Sequence, residues 1–257
     1  MKINQVLLGD SEKILKDIDD NMFDFVFTSP PYNINKAYEG YNDNLDQNEY
    51  LSKMKSIFSE CFRVLKPNRK IAVNLAFAMK DQKNEEIKFV FYDIVRIINE
   101  VGFNPSDFIL WIKSNKNSFV NGSSSVAWGS WMSAKAPVIR ADAEAIFIFS
   151  KGSYKREDKG ESTMSREEFL EYTRNVWFVQ PERTKYSHVC PYPKELAKRL
   201  IKLYTYKNDF ILDPFCGSGT TLVAAAEIER NFLGIDISEH YVKIALERIQ
   251  NVQRDII

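Results

Sequence analysis

Two short motifs carry groups suited to binding small planar ligands, and the first follows an apolar run. It reads Thr28-Ser29-Pro30-Pro31-Tyr32-Asn33. Proline has a fixed φ angle and no N–H, so the carbonyl groups beside it point in set directions. The Ser29 hydroxyl and the Pro30 carbonyl can then accept hydrogen bonds from a planar amino group, while Tyr32 offers a stacking face worth roughly 1–3 kcal/mol. An ordinary Pro-Pro turn accounts for the same residues. We call residues 29–32 the clamp.

The second motif, Asp213-Pro214-Phe215-Cys216-Gly217-Ser218-Gly219-Thr220, connects a predicted strand to a predicted helix. We call residues 213–220 the glycine turn. Its glycines allow a sharp turn and the close approach of a ligand, and the helix start offers free N–H groups. The pattern is neither a phosphate loop nor a dinucleotide fingerprint. Asp236, about 20 residues on, could accept both hydroxyls of a ribose. The alternatives are a nucleoside-cofactor site or a tight turn with Asp236 capping a helix.

Hydrophobic periodicity places both motifs at the ends of strands. The predicted strands are 3–8, 23–27, 70–75, 108–112, 144–149, 210–212 and 232–235. Besides a short helix after Gly9-Asp10, the predicted helices are 47–65, 85–101, 165–172, 193–204, 220–229 and 239–252. Alternation of this kind predicts an α/β fold with a mostly parallel sheet covered on both faces. Ligands bind such sheets at the carboxyl ends of the strands, where both motifs lie.

The composition of the 257 residues is that of an ordinary globular α/β domain with an insertion, at 44% hydrophobic and 27% charged residues. Lysine plus arginine and aspartate plus glutamate number 35 each, but residues 101–199 hold 15 basic and 11 acidic residues. That excess permits DNA binding without demonstrating it. No apolar run approaches the roughly 20 residues of a membrane span, and the start lacks a signal-peptide pattern. The three cysteines cannot all form disulfides, which favours a reducing cytoplasm, and their spacing predicts no metal site.

Together, the motifs resemble the amino-methyltransferases of DNA. The order of clamp before glycine turn resembles their circularly permuted beta group. The resemblance implies a seven-stranded, Rossmann-like sheet that binds S-adenosylmethionine, with strands 210–212 and 232–235 as its first two. It implies that the catalytic residues are Ser29, Pro30, Pro31 and Tyr32. The cofactor residues that it implies are Asp10, Thr28, Asp213, Pro214, Phe215, Gly217, Ser218, Gly219, Thr220 and Asp236.

The target base depends on a single position of the clamp. In this family, Asp at the position of Ser29 is commoner in adenine-N6 enzymes, and Ser is typical of cytosine-N4 enzymes. Residues 129–137 also look like loops of the cytosine-N4 type. The resemblance therefore implies methyl transfer to N4 of a flipped cytosine in duplex DNA, with adenine N6 as the alternative. Methylation of RNA or of a protein glutamine, and a non-catalytic DNA-binding subunit, are wider alternatives.

The remaining loops are the candidates for reading DNA. The predicted DNA contacts are Lys113, Trp128, Trp131, Lys135 and Arg140, and each tryptophan could equally anchor a loop on the core. The expected division is 1–112 for the catalytic half, 113–143 for a DNA-contacting loop, 144–150 for the last strand, 151–187 for a target-recognition insertion and 188–257 for the cofactor-binding half. A second copy and a cognate restriction endonuclease are candidate partners.

Overall fold

The computed structural model describes residues 3–35, 37–38, 40–80, 86–113, 130, 132–137, 139, 141–182 and 192–255. Its strands are β1 Gln5–Leu8, β2 Phe23–Thr28, β3 Ala37–Tyr38, β4 Tyr41–Asn42, β5 Leu65–Ala76, β6 Met79–Lys80, β7 Ile87–Lys88, β8 Asn104–Ile112, β9 Ala143–Lys151, β10 Val176–Phe178, β11 Phe210–Asp213 and β12 Asn231–Asp236. Its helices are α1 Ser11–Ile14, α2 Gln47–Val64, α3 Val90–Val101, α4 Arg166–Tyr172, α5 Lys194–Tyr204, α6 Thr220–Glu227 and α7 Glu239–Asp255. Within the described ranges, no helix is long and apolar enough to cross a bilayer.

One eight-stranded sheet organises the molecule, in the order β1-β12-β11-β2-β5-β9-β8-β10. The first five strands run parallel to one another, β9 is antiparallel to both of its neighbours, and β8 pairs in parallel with β10. The predicted mostly parallel α/β sheet is confirmed. Its eighth strand, β10, was not predicted, and it draws part of the expected 151–187 insertion into the sheet.

Both faces of the sheet are covered by helices, as expected for parallel strands. All six residues of β2 are buried; Phe23 and Val26 belong to one hydrophobic cluster, and Phe25 and Phe27 belong to another. One cluster packs α2 and α3 against the sheet through residues such as Ile57 and Ile98. The other packs α5, α6 and α7 through residues such as Leu200, Leu222 and Ile249. The strand ends are therefore held in a fixed order along one edge.

Among the predicted boundaries that differ from the structure, two are wrong by five residues. The helix expected from residue 85 begins at Val90, because Ile87–Lys88 pair with Met79–Lys80 as a short hairpin. The strand expected from residue 70 begins at Leu65, because β5 pairs with β2 on both sides of a register shift. Both errors arise from partners remote in sequence that extend or replace the local preference.

Candidate active site

The carboxyl ends of β1, β12, β11 and β2 meet at one edge and enclose an open pocket with a cavity volume of about 110 Å³. Among the predicted site residues, its walls include Asp10, Ser29, Pro30, Pro31, Tyr32, Pro214, Phe215, Gly217 and Asp236. The clamp and the glycine turn are about 180 residues apart in sequence, yet they border one cavity because β2 and β11 are neighbours in the sheet.

The backbone of the glycine turn requires its glycines. Gly217 and Gly219 have φ angles of 49° and 78°, a left-handed region that side chains disfavour. A Cβ atom on Gly219 would lie 2.8 Å from Cβ of Ala245. Arg248 of α7 donates to the Ser218 carbonyl at 2.7 Å and to the Thr220 hydroxyl at 3.2 Å. These contacts fix the start of α6 beside the pocket.

Asp213 is fully buried beneath the pocket and does not line it. Its carboxylate accepts hydrogen bonds from the hydroxyls of Thr28 at 2.7 Å, Thr221 at 2.6 Å and Tyr192 at 3.1 Å, and from the Phe215 N–H at 3.2 Å. Burial raises the pKa of Asp213 to about 6, and the donors from Thr221 and Thr28 oppose that rise. The network ties the end of β2 to the end of β11.

Asp236 ends β12 and does line the pocket. One carboxylate oxygen accepts the Gly217 N–H at 2.8 Å, and the other accepts the Ser238 N–H at 2.9 Å. Burial raises the pKa of this carboxyl, and both N–H groups oppose the rise. A carboxylate has about four acceptor positions, more than these contacts occupy, so Asp236 can still accept from a ligand hydroxyl. The Ser238 hydroxyl accepts the Tyr241 N–H at the start of α7, so Ser238 and not Asp236 makes the capping contact there.

The far end of the pocket is formed by β1 and α2. Asp10 caps α1 by accepting the Glu12 N–H at 3.1 Å, and its other oxygen lies 2.8 Å from Nζ of Lys53. The same Nζ lies 5.6 Å from the ring centroid of Tyr41. Lys53 and Tyr41 both line the pocket. Neither was identified from the sequence, because only the packing of α2 brings them to the end of β1.

The clamp converges on the end of β5. The Ser29 hydroxyl donates to the Asn74 carbonyl at 3.1 Å and lies 3.4 Å from the Tyr32 hydroxyl. The Ala76 N–H donates to the Tyr32 hydroxyl at 3.2 Å. Ser29 is half-buried, whereas Tyr32 is only 6% exposed. Because Ser29 uses its proton on Asn74, its Oγ can act as an acceptor toward a ligand.

The loop after the clamp is held by residues that sequence reasoning missed. The Asp43 carboxylate accepts the N–H groups of Asn33 at 2.8 Å and Ile34 at 3.0 Å. The Tyr50 hydroxyl donates to the Pro31 carbonyl at 2.8 Å. Asp46 at the start of α2 is the one sequence signal nearby, and it marks a helix N-terminus and says nothing of the loop. The clamp is thus positioned from two sides.

Five predicted cofactor residues lie behind the pocket wall. Those that do not line it are Thr28, Asp213, Ser218, Gly219 and Thr220. Of the predicted DNA contacts, Lys113 forms an ion pair with Glu144 at 2.5 Å, and Lys135 is exposed on a turn. Trp128, Trp131 and Arg140 lie outside the described residues.

The chain is similar in sequence to known DNA methyltransferases. A family model for N6/N4 methyltransferases, described as DNA methylase, matches residues 23–247. The type II methyltransferase M.MjaVI of Methanocaldococcus jannaschii is 34% identical over 184 residues, which are 72% of this chain and 90% of that protein. The type II methyltransferase M.BglII of Bacillus subtilis is 30% identical over 260 residues, 95% of this chain and 68% of that protein.

Solved structures of other proteins share this fold. A Thermus thermophilus protein in complex with S-adenosyl-L-methionine has a TM-score of 0.74 and 25% identity, covering 96% of this chain and 93% of that one. The PvuII DNA methyltransferase, cytosine-N4-specific, has a TM-score of 0.72 at 20% identity over 98% and 91% of the chains, a likeness of fold alone. S-adenosylmethionine is the cofactor, and the chain belongs to the N6/N4 DNA methylase family as a DNA methyltransferase.

Proposed function

We propose that this enzyme methylates the exocyclic N4 amine of a flipped cytosine in duplex DNA. One observation carries the proposal: the clamp presents a neutral hydroxyl, Ser29, whose proton is already donated to the Asn74 carbonyl. A neutral acceptor of this kind suits an amine that donates its N–H groups to the clamp. Such an amine does not have to lose a proton before its nitrogen attacks the methyl group. The order of clamp before glycine turn supports membership of the circularly permuted beta group.

The clamp residues hold and orient the amine. Ser29 Oγ and the Pro30 carbonyl accept its two N–H groups, so that the nitrogen lone pair is directed into the pocket. Pro31 restricts the backbone, and its carbonyl is held by Tyr50. The buried ring of Tyr32 stacks on the base. Catalysis then rests on positioning and on fixed dipoles.

Other residues hold the cofactor, which supplies an electrophilic methyl group when bound. Asp236 accepts the ribose hydroxyls, and Asp10 lies at the adenine end of the pocket. Pro214, Phe215 and Gly217 form the wall between them. The buried set behind the wall acts by positioning; it comprises Thr28, Asp213, Ser218, Gly219 and Thr220. The residues present therefore fit an adenosyl ligand.

DNA contacts are proposed for the loops at the same edge of the sheet. Lys135 is exposed there, and Lys113 can contact phosphate if it leaves Glu144. Trp128, Trp131 and Arg140 remain proposed contacts. The division of the chain at residues 112, 143, 150 and 187 remains proposed too, as do a homodimer and a partner restriction endonuclease.

Adenine N6 is the second candidate. The clamp accepts any planar amine, and the matching family model covers both N6 and N4 enzymes. Ser29 in place of an aspartate is the feature that favours cytosine.

The test is to incubate the protein with labelled S-adenosylmethionine and genomic DNA from a methylation-deficient host, which offers many recognition sequences. The DNA is then digested to nucleosides. Label in N4-methyldeoxycytidine is expected. Label in N6-methyldeoxyadenosine would show that adenine N6 is the target, and unlabelled DNA would contradict both candidates.

A further inference from the structure

The strand order assigns the two ends of the pocket to different parts of the cofactor. Ser29 follows β2, whereas Asp10 follows β1, three strands away along the same edge. Asp236 follows β12, which lies between β1 and β11. With the transferred methyl group at Ser29 and the ribose at Asp236, the adenine falls at the β1 end.

A donor and an acceptor stand side by side at that end. Nζ of Lys53 lies 2.8 Å from Oδ2 of Asp10, and both residues line the pocket. The two side chains are 21% and 22% exposed, so the pair is largely shielded from water on the pocket wall. An ammonium group has three donors, and Asp10 uses one. Oδ2 retains a further acceptor position as well.

This pair matches the Watson–Crick edge of adenine, where the N6 amino donor is adjacent to the N1 acceptor. Resting on the proposed placement of Asp10 at the adenine, we propose that Lys53 reads the same edge: its ammonium donates to N1 beside the carboxylate that accepts an N6 hydrogen. The inference concerns the cofactor, so it stands whether the target base is cytosine or adenine. It assigns Lys53 as a binding residue that selects adenine.

A simpler role for Lys53 is to neutralise Asp10 without touching the base. In that case the N1 acceptor is satisfied by another group, for example the Ser11 N–H at the start of α1. If Lys53 donates to N1, replacing Lys53 and replacing the N1 atom remove the same hydrogen bond. If Lys53 only neutralises Asp10, each replacement weakens cofactor binding separately.

The experiment is a binding cycle by calorimetry, independent of methyl transfer. S-adenosylhomocysteine is compared with its 1-deaza analogue, which has C–H in place of N1, on the wild-type protein and on Lys53→Met. We expect the analogue to bind the wild-type protein about tenfold more weakly. Lys53→Met should bind S-adenosylhomocysteine about tenfold more weakly and should not distinguish the two ligands by more than about twofold.

Lys55→Met is the matched control, because Lys55 lies on the same helix, is 52% exposed and pairs with Glu100. It should behave as wild type. Lys53→Leu provides a second test if Lys53→Met fails to fold. The proposal is overturned if the wild-type protein binds both ligands equally. It is also overturned if a Lys53 variant that folds still binds S-adenosylhomocysteine about tenfold more tightly than the 1-deaza analogue.

Discussion

The glycine turn is built on a buried carboxylate that accepts four hydrogen bonds, whereas the clamp is built on a half-exposed serine that donates a single one at 3.1 Å. Both follow parallel neighbouring strands of the same sheet. The turn must keep a backbone shape that only glycines adopt easily, so buried polar contacts hold it. The clamp must leave acceptor groups accessible to a base, so the Ser29 hydroxyl makes fewer hydrogen bonds than the Asp213 carboxylate does. Changes in the turn should therefore reduce stability, and changes in the clamp should reduce chemistry.

Asp213→Ala should give the largest effect on stability. It removes the acceptor of three hydroxyls, those of Thr28, Thr221 and Tyr192, and should lower the free energy of unfolding by about 4 kcal/mol. Urea denaturation at pH 7 measures this. Asp19→Ala, at an exposed position, is the control and should change stability by less than about 0.5 kcal/mol. If Asp213→Ala lowers the free energy of unfolding as little as Asp19→Ala does, the buried carboxylate does not stabilise the glycine turn.

The pH dependence of stability sharpens the same point. Burial raises the pKa of Asp213 from 3.8 to about 6, so the folded state binds a proton more tightly than the unfolded state. The stability from this proton is present at low pH and is lost as the pH rises through about 6. The stability of wild type relative to Asp213→Asn should thus fall by roughly 2 kcal/mol between pH 4.5 and 7.5. A difference that stays constant in urea titrations across that range would contradict the assignment.

Asp236→Ala should weaken the cofactor site more than the fold. It removes the acceptors proposed for the ribose and should reduce affinity for S-adenosylmethionine about thirtyfold, which is roughly 2 kcal/mol. Calorimetric titration measures the affinity. Glu239→Ala, at an exposed position on α7, should bind as wild type. Unchanged affinity in Asp236→Ala would place the ribose elsewhere.

Tyr50→Phe should have the smallest effect, on the clamp side. Losing its hydrogen bond to the Pro31 carbonyl should cost about 1 kcal/mol of stability and slow methyl transfer about fivefold, with cofactor affinity unchanged. Tyr172→Phe is the matched control, since its hydroxyl donates to Glu168 and neither residue lines the pocket. It should leave the transfer rate intact. A rate in Tyr50→Phe equal to that of the control would show that Tyr50 does not position the clamp.

Local sequence predicted the elements whose pattern is complete within a few residues. The run Phe23–Phe27 gave a strand buried on both faces, and Gly102 ends α3 with a φ of 114°, as a helix-terminating glycine should. The meeting of clamp and glycine turn followed from a general rule for parallel sheets. That rule needs only the element types.

Contacts between remote segments escaped prediction. β10 has only three residues and becomes a strand because β8 offers an edge for it. Asp43, Tyr50 and Lys53 look like ordinary loop and helix residues until α2 packs beside β1 and the clamp. Asp213 was predicted as a cofactor ligand from its position in the motif. Its burial beneath the pocket depends on Thr28 and Tyr192, which only the fold brings to it.

The central claim is that Ser29 binds the target amine and does not bind the cofactor, although both groups share one pocket. Single-turnover methyl transfer to unmethylated DNA at saturating S-adenosylmethionine tests this directly in wild type and Ser29→Ala, with cofactor affinity and melting temperature measured on the same preparations. We predict transfer at least about 100-fold slower in the variant, with affinity for S-adenosylmethionine within about twofold and stability unchanged. Transfer at the wild-type rate, or loss of cofactor binding in Ser29→Ala, would contradict it.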